Sequence, residues 1–198
     1  MFSKSDGRYA VRKARETILR RLSREGPDTS DAGGLFLKDC GVFVTLNTYP
    51  DHRLRGCIGY PEPVQPLINS LVDSAISAAT RDPRFSPVRK GELDKLVIEV
   101  SLLTPPEKIE VKKLTEILDE VKVGRDGLIV ERGTYRGLLL PQVPVEHNWD
   151  TEEFLQHTCV KAGLPPGTWV EKGTTIYRFQ AEIFTELEPG GDIIRKEL

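Results

Sequence analysis

The chain has 198 residues, 38% hydrophobic and 29% charged, enough to bury a core in one large or two small units. With a formal net charge of −2 the whole chain is no obvious polyanion binder, and no run approaches the ~18 apolar residues of a membrane span. The polar N-terminus lacks an apolar signal segment, and three cysteines with no CxxC exclude a disulfide framework, so a reducing cytoplasm is the expected compartment.

Residues 7–25 are predicted to form the first helix, with Ala10, Val11, Ala14, Ile18 and Leu22 at helical spacing and Gly26-Pro27 as the stop. The first 24 residues carry eight Lys/Arg against two Asp/Glu. That balance reads as a nucleic-acid or acidic-partner surface, or as a solvated helix face. The second reading is preferred, because no aromatic platform is interleaved with the charges. Duplex DNA is therefore not an expected ligand.

Residues 41–47 read as a strand, followed by a polar connection through Arg53. Leu54-Arg55-Gly56-Cys57-Ile58-Gly59-Tyr60 then reads as a strand broken by two glycines, pairing with the first as an antiparallel hairpin. Alternation puts Leu54, Gly56 and Ile58 on one face and Arg55, Cys57 and Gly59 on the other. A cation beside a cysteine favours the nucleophilic thiolate. Glycines within a strand mark a bulge or the close approach of a backbone or ligand. The alternative is a small buried cysteine beside a salt-bridged arginine, the commoner fate of a free cysteine.

A helix is expected over residues 65–81. Leu67, Leu71, Ala75 and Ala78 form its apolar stripe, Ser70, Ser74 and Ser77 lie opposite, and Asp82-Pro83 ends it. Leu96–Leu103 is the clearest strand, with Leu96, Ile98, Val100 and Leu102 facing that helix. Glu99 and Ser101 then share the far face with Arg55 and Cys57. Residues 107–120 read as charged and partly helical. A second hairpin spans residues 128–140, and a capped helix starts at Asp150 with Glu153 three positions on and Trp149 set to staple onto Phe154. A closing strand covers residues 174–184, and the tail from Glu188 is expected to be loose. His52, His147 and His157 have no zinc-ligand spacing with the cysteines, so the sequence gives no reason to expect a metal, a site assembled in three dimensions stays open, and the cofactor is unknown.

A weak internal repeat links the halves. Arg55-Gly56, six residues, Pro63-Val64 matches Arg136-Gly137, six residues, Pro144-Val145, with Leu138 at the position of Cys57. The expected fold is α+β: two related subdomains, near 1–106 and 107–198 with exchange of elements, built of antiparallel sheets packed with helices.

Several separate motifs, in order, carry a family resemblance. They are Leu54-Arg55-Gly56-Cys57-Ile58-Gly59, Asp82-Pro83-Arg84-Phe85, Leu96–Leu103, residues 124–128 and 139–145, and the run from Trp149 through Phe154-Leu155, Cys159 and Lys161-Ala162-Gly163-Leu164. Together they resemble the AMMECR domain family over roughly residues 9–186. The resemblance implies a single AMMECR-type domain of α+β fold, with Memo-like and radical-SAM proteins as partners. It also implies a functional site at the cysteine motif and brings no settled reaction.

The leading expectation is an enzyme using Cys57 in nucleophilic or redox chemistry on an unknown substrate. Arg55 would stabilise the thiolate or an anionic substrate, Glu99 would orient Arg55 or move protons, and His147 or His52 would serve as base. Asn47, Thr45, Gly56, Gly59 and Arg84 would line the substrate site. The rival is a non-catalytic binding or adaptor module for a small anion, RNA or a partner protein.

Overall fold

The computed structural model describes residues 2–196. The fold is α+β, with antiparallel strands and helices. Contacts divide the chain into two compact units: one runs to Pro105 and takes in the C-terminal segment from Glu182, and the other is Pro106–Ala181.

The first unit opens with α1 (Lys4–Leu22). It starts earlier than the spacing predicts because Ser3 and Asp6 form a capping box: the Ser3 hydroxyl accepts the Asp6 N–H, and the Asp6 carboxylate accepts the Ser3 N–H at 2.8 Å. The strands β1 (Gly41–Thr48) and β2 (Leu54–Tyr60) pair as the predicted antiparallel hairpin. α2 (Leu67–Thr80) follows, then β3 (Leu96–Leu103), antiparallel to the other side of β1. Strand order in this unit is β2-β1-β3-β7, β7 being the long strand Thr175–Glu186 that both units share. Within the described residues the tail holds a strand rather than loose chain: β8 (Ile193–Lys196) pairs with the end of β7.

Alternation along β3 sends Leu96, Ile98, Val100 and Leu102 into one core with Val42, Val44, Leu46, Leu71 and Ala75. Ser70 and Ser74, expected on an outer side of α2, are fully buried, because α2 packs on both α1 and the β1–β2 hairpin. Lys13 is buried too, its ammonium 2.9 Å from Glu16 and 2.7 Å from Asp31.

The second unit holds β4 (Glu107–Lys108), the short α3 (Ile117–Glu120), the hairpin β5 (Asp126–Arg132) and β6 (Tyr135–Leu139), α4 (Gln142–Glu146) and α5 (Thr151–Lys161). Its strand order is β6-β5-β7-β4. Asp150 caps α5 through the expected capping box with Glu153. The Trp149 ring stacks on His147 at 4.7 Å and on His157 at 3.8 Å.

A glycine in the outermost strand of each unit sits against helix backbone. A Cβ at Gly56 would overlap the Ala78 carbonyl of α2, and one at Gly137 would overlap the Ala162 backbone at the end of α5. Gly56→Ala should therefore cost about 1–3 kcal/mol, as overpacking does. Gly91→Ala, with open space around it, should stay within about 0.5 kcal/mol. Urea unfolding of both variants checks this; equal stabilities would mean that β2 is not held against α2 at Gly56.

Candidate functional site

The register of β1 with its two neighbours builds the site. Thr45 stands opposite Cys57 on β2 and opposite Glu99 on β3. Directly opposed residues share a face, so Cys57, Thr45 and Glu99 form one row across three strands. The Thr45 hydroxyl donates to Cys57 Sγ at 3.2 Å. Glu99 Oε2 accepts from Lys196 Nζ at 3.1 Å.

β2 is the last strand on its side of this sheet. At Cys57 its free edge is closed by the motif following α2. The Asp82 carboxylate accepts the Cys57 N–H at 2.8 Å, and Arg84 Nη2 donates to the Cys57 carbonyl at 3.3 Å. Asp82 also accepts from the Arg84 N–H at 3.1 Å, from Nε at 3.0 Å and from Nη2 at 2.7 Å. Hydrogen bonds from Arg84 hold the Asp82 carboxyl well below the usual carboxylate range; burial opposes them, and the Cys57 and Arg84 N–H groups reinforce them.

Arg55 is committed elsewhere. Its guanidinium meets Glu92, Nε to Oε1 at 2.6 Å and Nη2 to Oε2 at 3.2 Å. It also lies over the Phe85 ring, as Arg84 does, at 5.8 and 5.5 Å from the centroid. Burial would raise the Glu92 carboxyl, but the Arg55 hydrogen bond and the Arg89 N–H outweigh it and leave the group lowered. The pairing of Arg55 with Glu99 read from alternation is thus replaced by Arg55–Glu92 and Lys196–Glu99. A register shift between Leu46 and Asn47 explains the displacement. Leu46 opposes Gly56 but Asn47 opposes Leu54, so Arg55 is the extra residue of a bulge. The same shift turns Leu54 out of the helix layer, leaving it 41% exposed, while Ile58 packs against the core as expected.

The thiol differs from the expectation as well. Burial pushes Cys57 up from its ordinary value; the Thr45 hydroxyl and Arg84 pull it down, and Asp82 and Glu99 add to the rise. The cation that acts on it is Arg84, and at rest the group is a protonated thiol. The glycines are packing positions. Gly56 meets Ala78, and a Cβ at Gly59 would overlap the Phe43 ring. Asn47 is half-buried beside Thr45, two positions along β1. His52 is exposed in the β1–β2 connection, at φ 49°. His147 belongs to the other unit, stacked on Trp149. Cys40 and Cys159 are buried free thiols. Among the described residues, no three His, Cys, Asp or Glu side chains converge to hold a metal ion, and no helix is long and apolar enough to cross a membrane.

Asp82, Phe85, Glu92 and Lys196 escape the sequence reading as site residues. Asp82 and Phe85 fall in the Asp82-Pro83-Arg84-Phe85 motif, and Asp82 carries a further signal. An aspartate at a helix C-terminus opposes the helix dipole, so its carboxylate must be wanted by something other than the helix.

The AMMECR1 family profile matches residues 11–184. The chain belongs to the AMMECR1 family. A protein of Methanocaldococcus jannaschii is 55% identical over 193 residues, 98% of this chain and 96% of that one. A Methanococcus aeolicus protein is 52% identical, over 97% of this chain and 96% of that one. The crystal structure of an uncharacterized protein from Pyrococcus horikoshii is similar with a TM-score of 0.83, at 52% identity over 97% of both chains.

The Asp82 pairing makes stability depend on pH with a definite sign. Its folded value lies below the unfolded ~3.9, so its contribution is complete above that value and fades as pH falls towards the folded one. Asp82→Ala should cost about 1–3 kcal/mol at pH 7 by leaving the Cys57 N–H without an acceptor. The gap to the native chain should narrow at pH 3. Urea titrations at both pH values decide it; a gap of equal size at both would exclude the carboxylate as the cause.

Proposed function

We propose that this AMMECR1-family protein is a thiol-dependent enzyme, with Cys57 as nucleophile, Glu99 as proton acceptor and Thr45 as the group that orients the sulfur. The observation that carries the reading is the cross-strand row of these three residues, with the Thr45 hydroxyl oxygen 3.2 Å from Sγ. A hydroxyl that donates to sulfur favours thiolate, and burial holds the resting group as thiol. Ionisation then accompanies substrate entry. The S–H proton goes to the Glu99 carboxylate once Lys196 is drawn away. The sulfur lone pair forms a bond to an electrophilic carbonyl carbon of the substrate, and the carbonyl π pair moves onto its oxygen. Arg84, half-exposed beside the row, can face that oxygen. Nucleophilic chemistry is preferred to disulfide chemistry because Cys40 and Cys159 are both buried. Three free thiols also fit a reducing, cytoplasmic setting.

The relation between the units supports the assignment. We infer that they are a duplicated pair. Strand orders β2-β1-β3 and β6-β5-β7 correspond, as do Gly56 and Gly137 at their helices. The register of the Cys57–Thr45–Glu99 row is filled in the other unit by Leu138, Ile129 and Tyr177. Polar chemistry belongs to one copy.

A second reading, a binding or adaptor module, is favoured by one observation. The charged groups around the row are already paired, as Arg55–Glu92, Arg84–Asp82 and Lys196–Glu99. That arrangement suits a neutral contact surface better than an anion pocket.

The test is the rate of Cys57 alkylation by iodoacetamide against pH, followed by mass spectrometry. The native midpoint should lie above the ~8.5 of a free cysteine. Thr45→Val and Arg84→Ala should move it higher, Glu99→Gln should move it lower, and Arg55→Ala should leave it in place. A thiol that stays unlabelled in the folded protein at alkaline pH, or a midpoint indifferent to Thr45, would sink the enzyme reading and leave the binding module.

A further inference from the structure

A groove of about 570 Å³ lies in the first unit between the start of α1 and β8, lined by Lys4, Arg8, Phe184, Ile193, Ile194 and Arg195. Phe184 is its buried floor and Ile194, 43% exposed, its apolar wall. Arg195 is engaged by Glu182 at 2.7 Å. Lys4 and Arg8 are different: among the described residues neither has an ion-pair partner, and the same holds for Arg12 one turn further along α1. Lys4, Arg8 and Arg12 stand at i, i+4 and i+8, so they form one ridge with charges about 6 Å apart.

We propose that this groove and ridge dock an extended acidic segment of a partner protein, with carboxylates at alternate positions and apolar side chains between them. Alternate side chains of an extended chain on one face recur about every 6.6–6.8 Å, which matches the ridge. The intervening apolar side chains would point away from the ridge, with the exposed Ile194 of β8 as their nearest apolar contact. β8 pairs with β7 along one edge, and among the described residues no other strand pairs with it. It therefore offers main-chain groups to a polypeptide. Nucleic acid fits less well. Of the aromatic rings beside the ridge, Phe184 is buried and Tyr9 is packed edge-on against Phe36 with its hydroxyl on Asp31, so neither is free for base stacking.

The experiment uses fluorescein-labelled (Glu-Val)5 and the full chain, read by fluorescence anisotropy. Labelled (Lys-Val)5 and a ten-residue oligothymidylate are the comparators, and the oligomeric state is measured by sedimentation. The acidic peptide should bind and (Lys-Val)5 should not. Arg8→Glu should weaken binding at least about tenfold, a loss equivalent to ~1.4 kcal/mol. Ile194→Asp should also weaken it several-fold, while a cation-only surface would leave binding within about twofold apart from the added charge at high salt. Both positions are exposed, and circular dichroism of each variant should match the native chain. No binding of (Glu-Val)5, binding indifferent to Arg8→Glu, or oligothymidylate bound as tightly as the peptide would overturn the proposal. So would self-association abolished by Arg8→Glu, which would make a second copy the occupant.

Discussion

The site depends on one buried carboxylate. Asp82, with its side chain 2% exposed, accepts the N–H of Cys57 at the open edge of β2. An edge strand presents unpaired main-chain groups, which invite pairing with another chain. Here Asp82 takes the donor and Arg84 the acceptor of the same residue, so a two-residue ion pair stands in for a neighbouring strand. The arrangement is workable because its two charges sit in different surroundings. The carboxylate is out of water but accepts hydrogen bonds from Cys57 and Arg84. The guanidinium is half in water, so its desolvation costs little. The consequence reaches the thiol, because the backbone of Cys57 is fixed on its outer side and its sulfur is fixed by Thr45 on its inner side.

Much of this architecture is legible in the sequence because it follows from local periodicity. The alternation in Leu96–Leu103, the hairpin on either side of residues 49–53, the stripe of α2 and the capping box of α5 are all short-range patterns. They also placed Cys57, Glu99 and Arg55 within one unit and put Cys57 and Glu99 on one face. What escapes depends on contacts distant in sequence. Glu92 reaches Arg55 from 37 positions away and Lys196 reaches Glu99 from 97 positions away, and no periodicity announces either. The bulge at Arg55 is a one-residue event, and only the registered partner strand reveals it. The serines of α2 read as an outer side because polarity stands in for exposure in a sequence. A second helix packed on α2 breaks that equivalence. β8 is missed because four residues rich in charge do not resemble a strand until β7 is there to pair with them.

The thiol is where sequence reasoning and structure part most instructively. An arginine two residues from a cysteine on a strand points to a thiolate only if the arginine is free to act. Arg55 has its own carboxylate, and Arg84, which does act on the sulfur, is already bound to Asp82. Neutralised cations exert little field, and burial decides the protonation state. The cluster as a whole is made of closed pairs, so any ligand that draws on one of its charges must first part it from its partner.

The two units give this row a physical contrast. In one unit Leu138, Ile129 and Tyr177 stand directly opposed across three strands, with Ile129 fully buried. The other carries Cys57, Thr45 and Glu99. The apolar row needs no partners, whereas a half-buried polar row costs free energy unless each group is hydrogen-bonded. Here a hydroxyl is given to sulfur and a lysine to the carboxylate. Departures from the locally cheaper choice gather where a protein does something besides fold. By that criterion the row across β2, β1 and β3, rather than the glycines that brace it, is where this unit departs from the locally cheaper choice.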